Sequence, residues 1–417
     1  MKVKLKFKSP FIVGGIKRVS NYIETIDYIP GNVLRAAFSR YILNNCPCFR
    51  QDEVVTVNGE KHKNWVYYRN KQECVNCSLK NVCMNFDKIK FSFFYPEGTD
   101  IIPLTTMRCK MKPEHGLIDV LIHKRECPDC MRLGSSDSRV EAVAGYLKNG
   151  QDYNVKKSLH TRTAIDRYTA TAKDGMLFSV EAVVGTDREN NIIYEGQIEG
   201  IGKEDILYVQ ELRVGKYTSV GFGRCSICIE DNESCTEEFS RHLTADKNEN
   251  VADKRESITQ KMRLFSEKYK KHNRITNSKN YFAVKLVADA KLDFEGAGSK
   301  KSGCDGESEC EDYIKNEDFK EIWLNSLNVP GMEKDYKIDK VYAEVFNFRG
   351  YDTSKVGDVR EEPVHMVQKG SVIVFETEKS FDETVNYFSS LDGFGLDVLN
   401  GFGQFKFHFG LGEDLND

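Results

Sequence analysis

The chain has 417 residues, 40% of them hydrophobic and 30% charged, with a formal net charge of -4. That length suggests two domains, each able to bury a core, and the balanced charge does not mark a general polyanion binder. No apolar run approaches the roughly 18 residues that read as a bilayer span, so a cytoplasmic location is expected.

The start, Met1-Lys2-Val3-Lys4-Leu5-Lys6-Phe7-Lys8, alternates strictly. It is a strand with one basic face and not a signal peptide, which would need an unbroken apolar stretch. Ile29-Pro30-Gly31 reads as a turn and Asn32 as a helix N-cap. Val33–Leu43 follows as a helix with Leu34, Ala37, Phe38, Tyr41 and Ile42 on one stripe and Arg35 and Arg40 outside it.

Residues 45–135 read as a cysteine-rich, irregular insertion. Thirteen cysteines in a cytoplasmic chain are thiols or metal ligands, not a disulfide framework. Cys74-x2-Cys77-x5-Cys83 lies downstream of Cys46 and Cys48; Cys127-x2-Cys130 has Cys109, His115 and His123 nearby. Zinc takes four thiolate or imidazole ligands, and C-x2-C supplies two from one tight turn. Two structural zinc sites are expected: Cys48, Cys74, Cys77 and Cys83 in one; Cys109, Cys127, Cys130 and an unassigned fourth ligand in the other. One four-cysteine site built from both pairs, an iron–sulfur cluster on Cys74, Cys77 and Cys83, and unmetallated thiols are the alternatives. Cys225 and Cys228 sit on an alternating segment and read as strand residues.

Residues 161–196 are β-like. Arg162–Arg167 and Met176–Val184 form a predicted hairpin with a turn near Lys173-Asp174-Gly175 and a basic first arm. Lys203–Val214 then reads as a helix. It leads into Gly215-Lys216-Tyr217-Thr218-Ser219-Val220-Gly221-Phe222-Gly223, and Arg224–Ile229 alternates as a strand. The same frame, G-x5-G-F-G, returns at Gly395–Gly403, preceded by the predicted helix Phe381–Leu391 and followed by Gln404–Phe409. A repeat of this length suggests two copies of one domain. Glycine supplies the positive φ that a sharp helix-to-strand turn needs, and successive free N–H groups there would form an anion-binding nest. The order helix–loop–strand excludes a P-loop or a dinucleotide fingerprint, in which a strand enters and a helix leaves.

Between the copies, residues 235–278 read as a connection. Its basic helix, Ser257–Lys271, carries Ile258, Met262, Phe265 and Tyr269 on one face. Tyr281–Leu292 is a strand, Ser299–Glu311 an acid-rich loop holding Cys304 and Cys310, and Phe319–Leu327 a helix. Lys340–Phe348 and Gly370–Glu376 are strands. The second half thus reads β-α-β-β-α-β, the ferredoxin-like order, and so does the first once the insertion is set aside. Sheets of this kind often offer an open face to single-stranded RNA.

A ferredoxin-like domain ending in helix, G-x5-G-F-G and strand, present twice, resembles the RAMP superfamily of CRISPR RNA-binding proteins. Tyr28-Ile29-Pro30-Gly31-Asn32-Val33-Leu34-Arg35, His115-Gly116-Leu117-Ile118-Asp119, Cys127-Pro128-Asp129-Cys130 and Arg162-Thr163-Ala164-Ile165-Asp166-Arg167 are similar to one branch. So are Gly175-Met176-Leu177-Phe178 and Lys369-Gly370-Ser371-Val372. That branch is the large two-domain RAMP subunit of type III-D effector complexes. The resemblance implies an α+β chain with RAMP domains at 1–234 and 279–417. It implies a subunit that grips the repeat-derived 5′ tag of a guide RNA, contacts a large polymerase-like subunit and begins a filament of backbone RAMP subunits. The implied RNA contacts are Lys2, Lys4, Lys6, Arg35, Arg40, Arg162, Arg167, Tyr168, Lys173, Gly221, Phe222, Gly223, Arg224, Gly401, Phe402 and Gly403. Tyr168 and Phe222 are candidates for base stacking, although packing under the loop is the expected place of Phe222 and Phe402. The rival within the superfamily is an endoribonuclease with His160, His115 or Tyr168 at its centre, or with Asp119 or Asp166 acting on target RNA. Nothing convergent supports a catalytic set, and a non-catalytic subunit is expected.

Overall fold

The structure is a computed structural model that describes residues 1–19, 21–135, 137–187, 190–209, 211–229, 251–294, 316–357 and 360–411. Residues 235–250 of the expected connection and the acid-rich segment with Cys304 and Cys310 lie outside the described residues.

Strand β1 (Lys2–Phe7) buries Val3, Leu5 and Phe7 completely, as its alternation predicts. Helix α1 (Gly31–Asn45) buries Leu34, Ala37, Phe38, Ile42 and Leu43 against it; the leucines, Phe38 and Ile42 contribute about 1.5–3 kcal/mol each. The helix begins one residue earlier than its expected cap. Pro30 is the N-cap, and the side-chain oxygen of Asn32, inside the first turn, has no hydrogen-bond partner among the described residues.

Two short strands, β2 (Lys90–Phe91) and β3 (Tyr95–Pro96), come next in this sheet. The hairpin β4 (Lys157–Ile165) and β5 (Ala172–Val183) belongs to another sheet. The first sheet resumes with β6 (Ile193–Glu199), α2 (Lys203–Leu207), β7 (Glu211–Arg213) and β8 (Arg224–Ile229). The predicted helix 203–214 therefore stops at Leu207. Glu211–Arg213 instead pairs with Ser226, Cys225 and Arg224 of β8, which places Leu212 in the core beside Val214. The sheet order is β7-β8-β1-β6-β2, with β3 also on β6.

The second half begins with α3 (Val251–Asn273) and continues through β9 (Asn280–Leu286), α4 (Asn316–Ser326) and β10 (Tyr336–Tyr342). It ends with β11 (Val372–Thr377), α5 (Phe381–Ser389) and β12 (Phe405–His408). Ser380 caps α5 through Glu383, a capping box written in the sequence. The predicted strand 340–348 divides, since Val345–Phe348 pairs with Val364–Val367 in a separate sheet. The main sheet order is β10-β11-β9-β12. In both halves the last strand lies beside the first (β8 on β1, β12 on β9), and the first also pairs with a later strand (β6, β11) that in turn pairs with an earlier one (β2, β10), all antiparallel.

One face of β9 (Phe282, Val284, Leu286) meets Trp323, Val385 and Phe388 from α4 and α5. The other face is not open. Phe265 and Tyr269 of α3, with Leu121 of the insertion, cover Tyr281 and Ala283. The insertion therefore docks on the second sheet as well as the first. Leu104 N–H donates to Gly370 O at 2.7 Å, and Asp119 meets His408 at 2.5 Å with both side chains fully buried. A second buried contact joins the halves. Tyr28 donates to Asp289, Lys369 N–H donates to the same carboxylate at 2.9 Å, and the Lys369 ammonium lies 4.2 Å from the Tyr28 ring. Burial pushes the Asp289 carboxyl above its ordinary range.

Candidate nucleic-acid interface and metal centre

The two glycine loops fold alike down to individual hydrogen bonds. Tyr217 and Asp397 take φ of +56° and +64° and open the single turns Thr218–Val220 and Val398–Asn400. Val214 N–H donates to Gly223 O at 2.8 Å, and Phe394 N–H to Gly403 O at 3.0 Å. Lys216 N–H donates to Ile12 O, as Leu396 N–H does to Lys291 O, both at 2.8 Å. Gly223 N–H donates to Pro10 O at 2.8 Å and Gly403 N–H to Asp289 O at 2.9 Å. Each loop thus clamps the chain just after the first strand of its own sheet. The last glycine is sterically required: a Cβ on Gly223 would lie 2.0 Å from Val214 O, and one on Gly403 1.9 Å from Phe394 O.

This corrects the expected nest. The N–H groups of Gly221, Phe222 and Gly223, and those of Gly401 and Gly403, donate to carbonyls of the protein itself. The frame is a folding device before it is a ligand site.

The two copies differ in what surrounds them. Ser219, Val220 and Gly221 of the first loop are exposed, and a Cβ on Gly221 would meet nothing within 4 Å. The second loop is pressed onto the first sheet: a Cβ on Gly401 would lie 2.6 Å from Phe91 O. Phe402 is buried beside Phe93 at 5.0 Å, with Lys291 Nζ 4.2 Å from its ring. Gly401, Phe402 and Gly403 therefore form a junction, not a surface. Helix α1 reaches both loops. Arg35 donates to Asn400 Oδ1 at 2.6 Å and to the carbonyls of Phe86 (2.7 Å) and Ile89, with its guanidinium 5.0 Å from the Phe91 ring. Arg40 donates to Thr218 Oγ1 at 2.9 Å. The structure gives Arg35 the task of holding the second loop, whereas Arg40 stays exposed beside the first.

The hairpin rises from the first loop. At its base Phe222 packs with Ile12, Val180 and Ala182, which places it under the loop. The Arg162 guanidinium lies 5.0 Å from the Phe222 ring, and His160 meets its edge at 5.3 Å. β5 pairs with Tyr22 and Ile23 only through Ser179 and Val180. Both faces of the ribbon are largely exposed, at Leu159 and, further out, at Ile165, Met176 and Leu177. The turn is at 166–171, not at Lys173–Gly175. Asp166 Oδ1 accepts Tyr168 N–H at 2.8 Å and Thr169 N–H at 3.1 Å, an Asx turn. These two bonds hold its carboxyl below the ordinary range. The register jumps from Thr163 opposite Leu177 to Ile165 opposite Ala172, so 173–176 bulge out with Gly175 at φ +71°. Tyr168 crowns the turn at 101% exposure, with Arg167 and Lys173 exposed near it.

Other sequence candidates have partners inside the protein. Lys4 pairs with Glu97 at 2.8 Å, Lys2 with Glu195 at 3.3 Å, and Arg224 with Glu211 at 2.7 Å. Lys6 is exposed on β1. His160 contacts Ser158 Oγ at 3.0 Å. Asp119 is buried and accepts Leu121 N–H at 2.9 Å, and Asp166 caps its turn. These three make no convergent catalytic group. Cys225 is fully buried on β8, its thiol pushed up to about 12 by burial, while Cys228 is half-buried.

The metal centre is built from three pieces of the insertion. Cys109 ends the strand Thr106–Cys109; His115 closes a short turn before Gly116; Cys127 and Cys130 start the helix Pro128–Arg132. Their ligand atoms all lie within 4.8 Å of one another. Cys109 and Cys130 sulfurs are 3.5 Å apart, and His115 Nδ1 is 3.3 Å from Cys127 Sγ and 3.4 Å from Cys130 Sγ. Tetrahedral zinc with Zn–S near 2.3 Å requires edges of about 3.8 Å between sulfurs, so the set needs little adjustment. Without an ion, burial with Cys109 and Cys127 alongside pushes the Cys130 thiol up to about 12; a divalent cation is what would let the three thiols ionise together. The group could hold a metal ion and is compatible with zinc.

His115 stands where the sequence left the fourth ligand unassigned. His123 turns instead to Asp119 O at 3.3 Å. The set also removes the alternative of one site shared by both C-x2-C pairs. In the other cluster Cys48 and Cys74 sulfurs approach to 3.7 Å. Among the described residues, however, no three ligand atoms from Cys46, Cys48, Cys74, Cys77 and Cys83 come as close as those of the first set. Burial pushes the Cys83 thiol up to about 11. The ligand set expected for the first zinc site is thus more open in this structure than the set around Cys109.

No protein-family model and no curated protein matches this chain. Among solved structures, a chain of the type III-B Cmr-beta complex bound to cognate target RNA and AMPPnP aligns over 93% of this chain and 88% of its own, at 11% identity and a TM-score of 0.41. A chain of the same complex bound to cognate target RNA aligns over 93% and 89%, at 11% identity and 0.36. A chain of its apo state aligns over 55% and 97%, at 12% identity and 0.27. Likeness of this degree does not establish a shared fold. Among the described residues, no helix is long and apolar enough to cross a membrane.

Proposed function

We propose that the chain is a non-catalytic, guide-RNA-binding subunit of a CRISPR type III effector complex. In this reading two ferredoxin-like RAMP domains, 1–234 and 279–417, are joined by 235–278. The observation that carries it is the asymmetry of the duplicated loops. One copy locks the two halves together; the other stays open at the root of a basic, aromatic-tipped hairpin. Backbone phosphates would pass Arg40, Arg162, Arg167 and Lys173, and a base would stack on Tyr168, an arrangement that reads RNA without sequence preference. The resemblance to the type III-D branch supplies the finer assignment. The RNA is the repeat-derived 5′ tag of the guide, and the protein partners are a large polymerase-like subunit and backbone RAMP subunits. Zinc on Cys109, His115, Cys127 and Cys130 would cross-link strand, turn and helix of the insertion and so fix the surface that docks on the second sheet.

The test is expression of the chain beside its own repeat array and neighbouring subunits, followed by sequencing of the retained RNA. Guide RNA carrying the repeat-derived 5′ tag is expected on the native protein and much less on a Tyr168→Ala/Arg167→Glu/Lys173→Glu variant. Absence of RNA from the native assembly, or shortened RNA that reverts to full length on His160→Ala, would overturn the reading.

A further inference from the structure

Between the metal knuckle and the second half lies a cleft of about 640 Å³. That volume falls within the range of small-molecule sites. Five basic side chains from three elements edge it: His123, Lys124 and Arg125 from the segment entering Cys127, His272 from the end of α3, and Lys340 from β10. One carboxylate, Glu126, stands on the same rim. Among the described residues neither Lys124 nor Arg125 makes an ion pair, and both are exposed. Lys340 is held in place by its bond to Asn273 Oδ1 at 2.6 Å. Desolvation, with Lys340, His123 and Lys124 alongside, pulls the His272 imidazole below its ordinary range. These cations thus edge one cleft. The floor has the opposite character, made of Leu104, Met107 and the half-buried ring of Tyr342.

A bare anion would use the rim and leave the floor idle. An apolar ligand would leave several cations crowded and uncompensated. A ligand with a flat, weakly polar ring at one end and a phosphate at the other satisfies both. We propose that this cleft binds one nucleotide unit, a nucleoside 5′-phosphate, either free or as the end of an RNA. The ring lies against Tyr342 and Met107, and the phosphate lies between Lys124, Arg125 and Lys340. The cleft is separate from the hairpin, and the inference does not depend on the guide-binding reading.

The test is titration of the full chain with ATP carrying a fluorophore on its ribose, read by anisotropy. Competitors are AMP, ATP, pyrophosphate, a 5′-phosphorylated hexaribonucleotide, its 5′-hydroxyl form and an Asp/Glu-rich peptide. Saturable binding is expected, with ATP competing better than pyrophosphate. Lys124→Glu/Arg125→Glu should weaken binding by about tenfold or more, the scale of one lost charged contact. These two residues are exposed, so the variant tests the ligand and not the fold. Tyr342→Leu should weaken ATP more than pyrophosphate. Free nucleotide competing as well as the hexamer assigns a free ligand; the 5′-phosphorylated hexamer competing about tenfold better than either ATP or its hydroxyl form assigns an RNA end. Lack of saturable binding at millimolar concentration, preference for the acidic peptide, or unchanged affinity in the charge-reversal variant would overturn the inference.

Discussion

Gly221 and Gly223 lie two residues apart in the same loop, both with positive φ, +101° and +75°. They separate backbone strain from steric requirement. Gly221→Ala places its methyl in open space. Its cost is the left-handed conformation, about 1–2 kcal/mol, partly offset by about 0.4–1 kcal/mol from a less flexible unfolded chain. A net loss near 1 kcal/mol follows. Gly223→Ala carries the same terms and also drives Cβ to 2.0 Å from Val214 O. That oxygen belongs to backbone already engaged by Gly223 itself, so it cannot move without breaking the clamp. Overpacking of this kind adds about 1–3 kcal/mol. The two variants should differ by about 2 kcal/mol, or about 4–8 °C in the melting of the N-terminal half at about 2–4 °C per kcal/mol. Differential scanning calorimetry of both variants measures the difference. If Gly223→Ala melts no lower than Gly221→Ala, the last glycine is not demanded by close approach, and the account of the G-x5-G-F-G frame as a clamp is wrong.

Three further predictions follow from the site geometry. Tyr168→Ala should weaken binding of single-stranded RNA by about 1–3 kcal/mol, the worth of one stacked base, and leave the melting temperature unchanged because the ring is fully exposed; equal affinities in a filter-binding assay would count against stacking. Elemental analysis should find about one zinc per chain, held by the four-ligand set that comes together among the described residues. His115→Ala and Cys127→Ser should each lose it, whereas His123→Ala should keep it, and two zinc per chain would mean that the Cys48–Cys83 cluster closes after all. Arg35→Ala should destabilise by about 2–4 kcal/mol, since it strands the Phe86 and Ile89 carbonyls and frees Asn400. Arg35→Lys should not restore stability, because one ammonium cannot span three acceptors. A rescue by lysine in urea denaturation would show that charge alone is what matters.

Much of the local structure is legible in the chain. Alternation marks β1, helical spacing marks α1 and α3, Ser380 and Glu383 announce α5, and the glycine frame marks the same clamp twice. The errors arise where a local signal competes with a distant partner. Lys173-Asp174-Gly175 carries strong turn chemistry, yet the turn closes at Asp166, whose carboxylate caps two N–H groups, and the Lys-Asp-Gly segment becomes a bulge. Glu211–Arg213 suits a helix but is drawn into a strand by the free edge of β8. The four cysteines from Cys48 to Cys83 satisfy the spacing of a zinc site, but spacing cannot report whether backbone segments converge. For Cys109, Cys127 and Cys130 they do, and the convergence names His115.

Sequence alone settles the duplicated G-x5-G-F-G frame, the absence of an apolar run of spanning length, and the residue types that could hold metal or meet phosphate, because these depend on neighbours along the chain. Tertiary structure alone decides that the two glycine loops do different work. The same frame, with the same hydrogen bonds, is an open surface in one half and a buried junction in the other. The difference comes from Phe91, Arg35 and Phe93, each of which lies more than 300 residues away in the chain from the loop it meets. It decides likewise that Arg35 is a brace and that the rim of His123, Lys124, Arg125, His272 and Lys340 forms at all. Packing brings side chains together regardless of their separation in sequence, and it is packing that assigns each charge its partner.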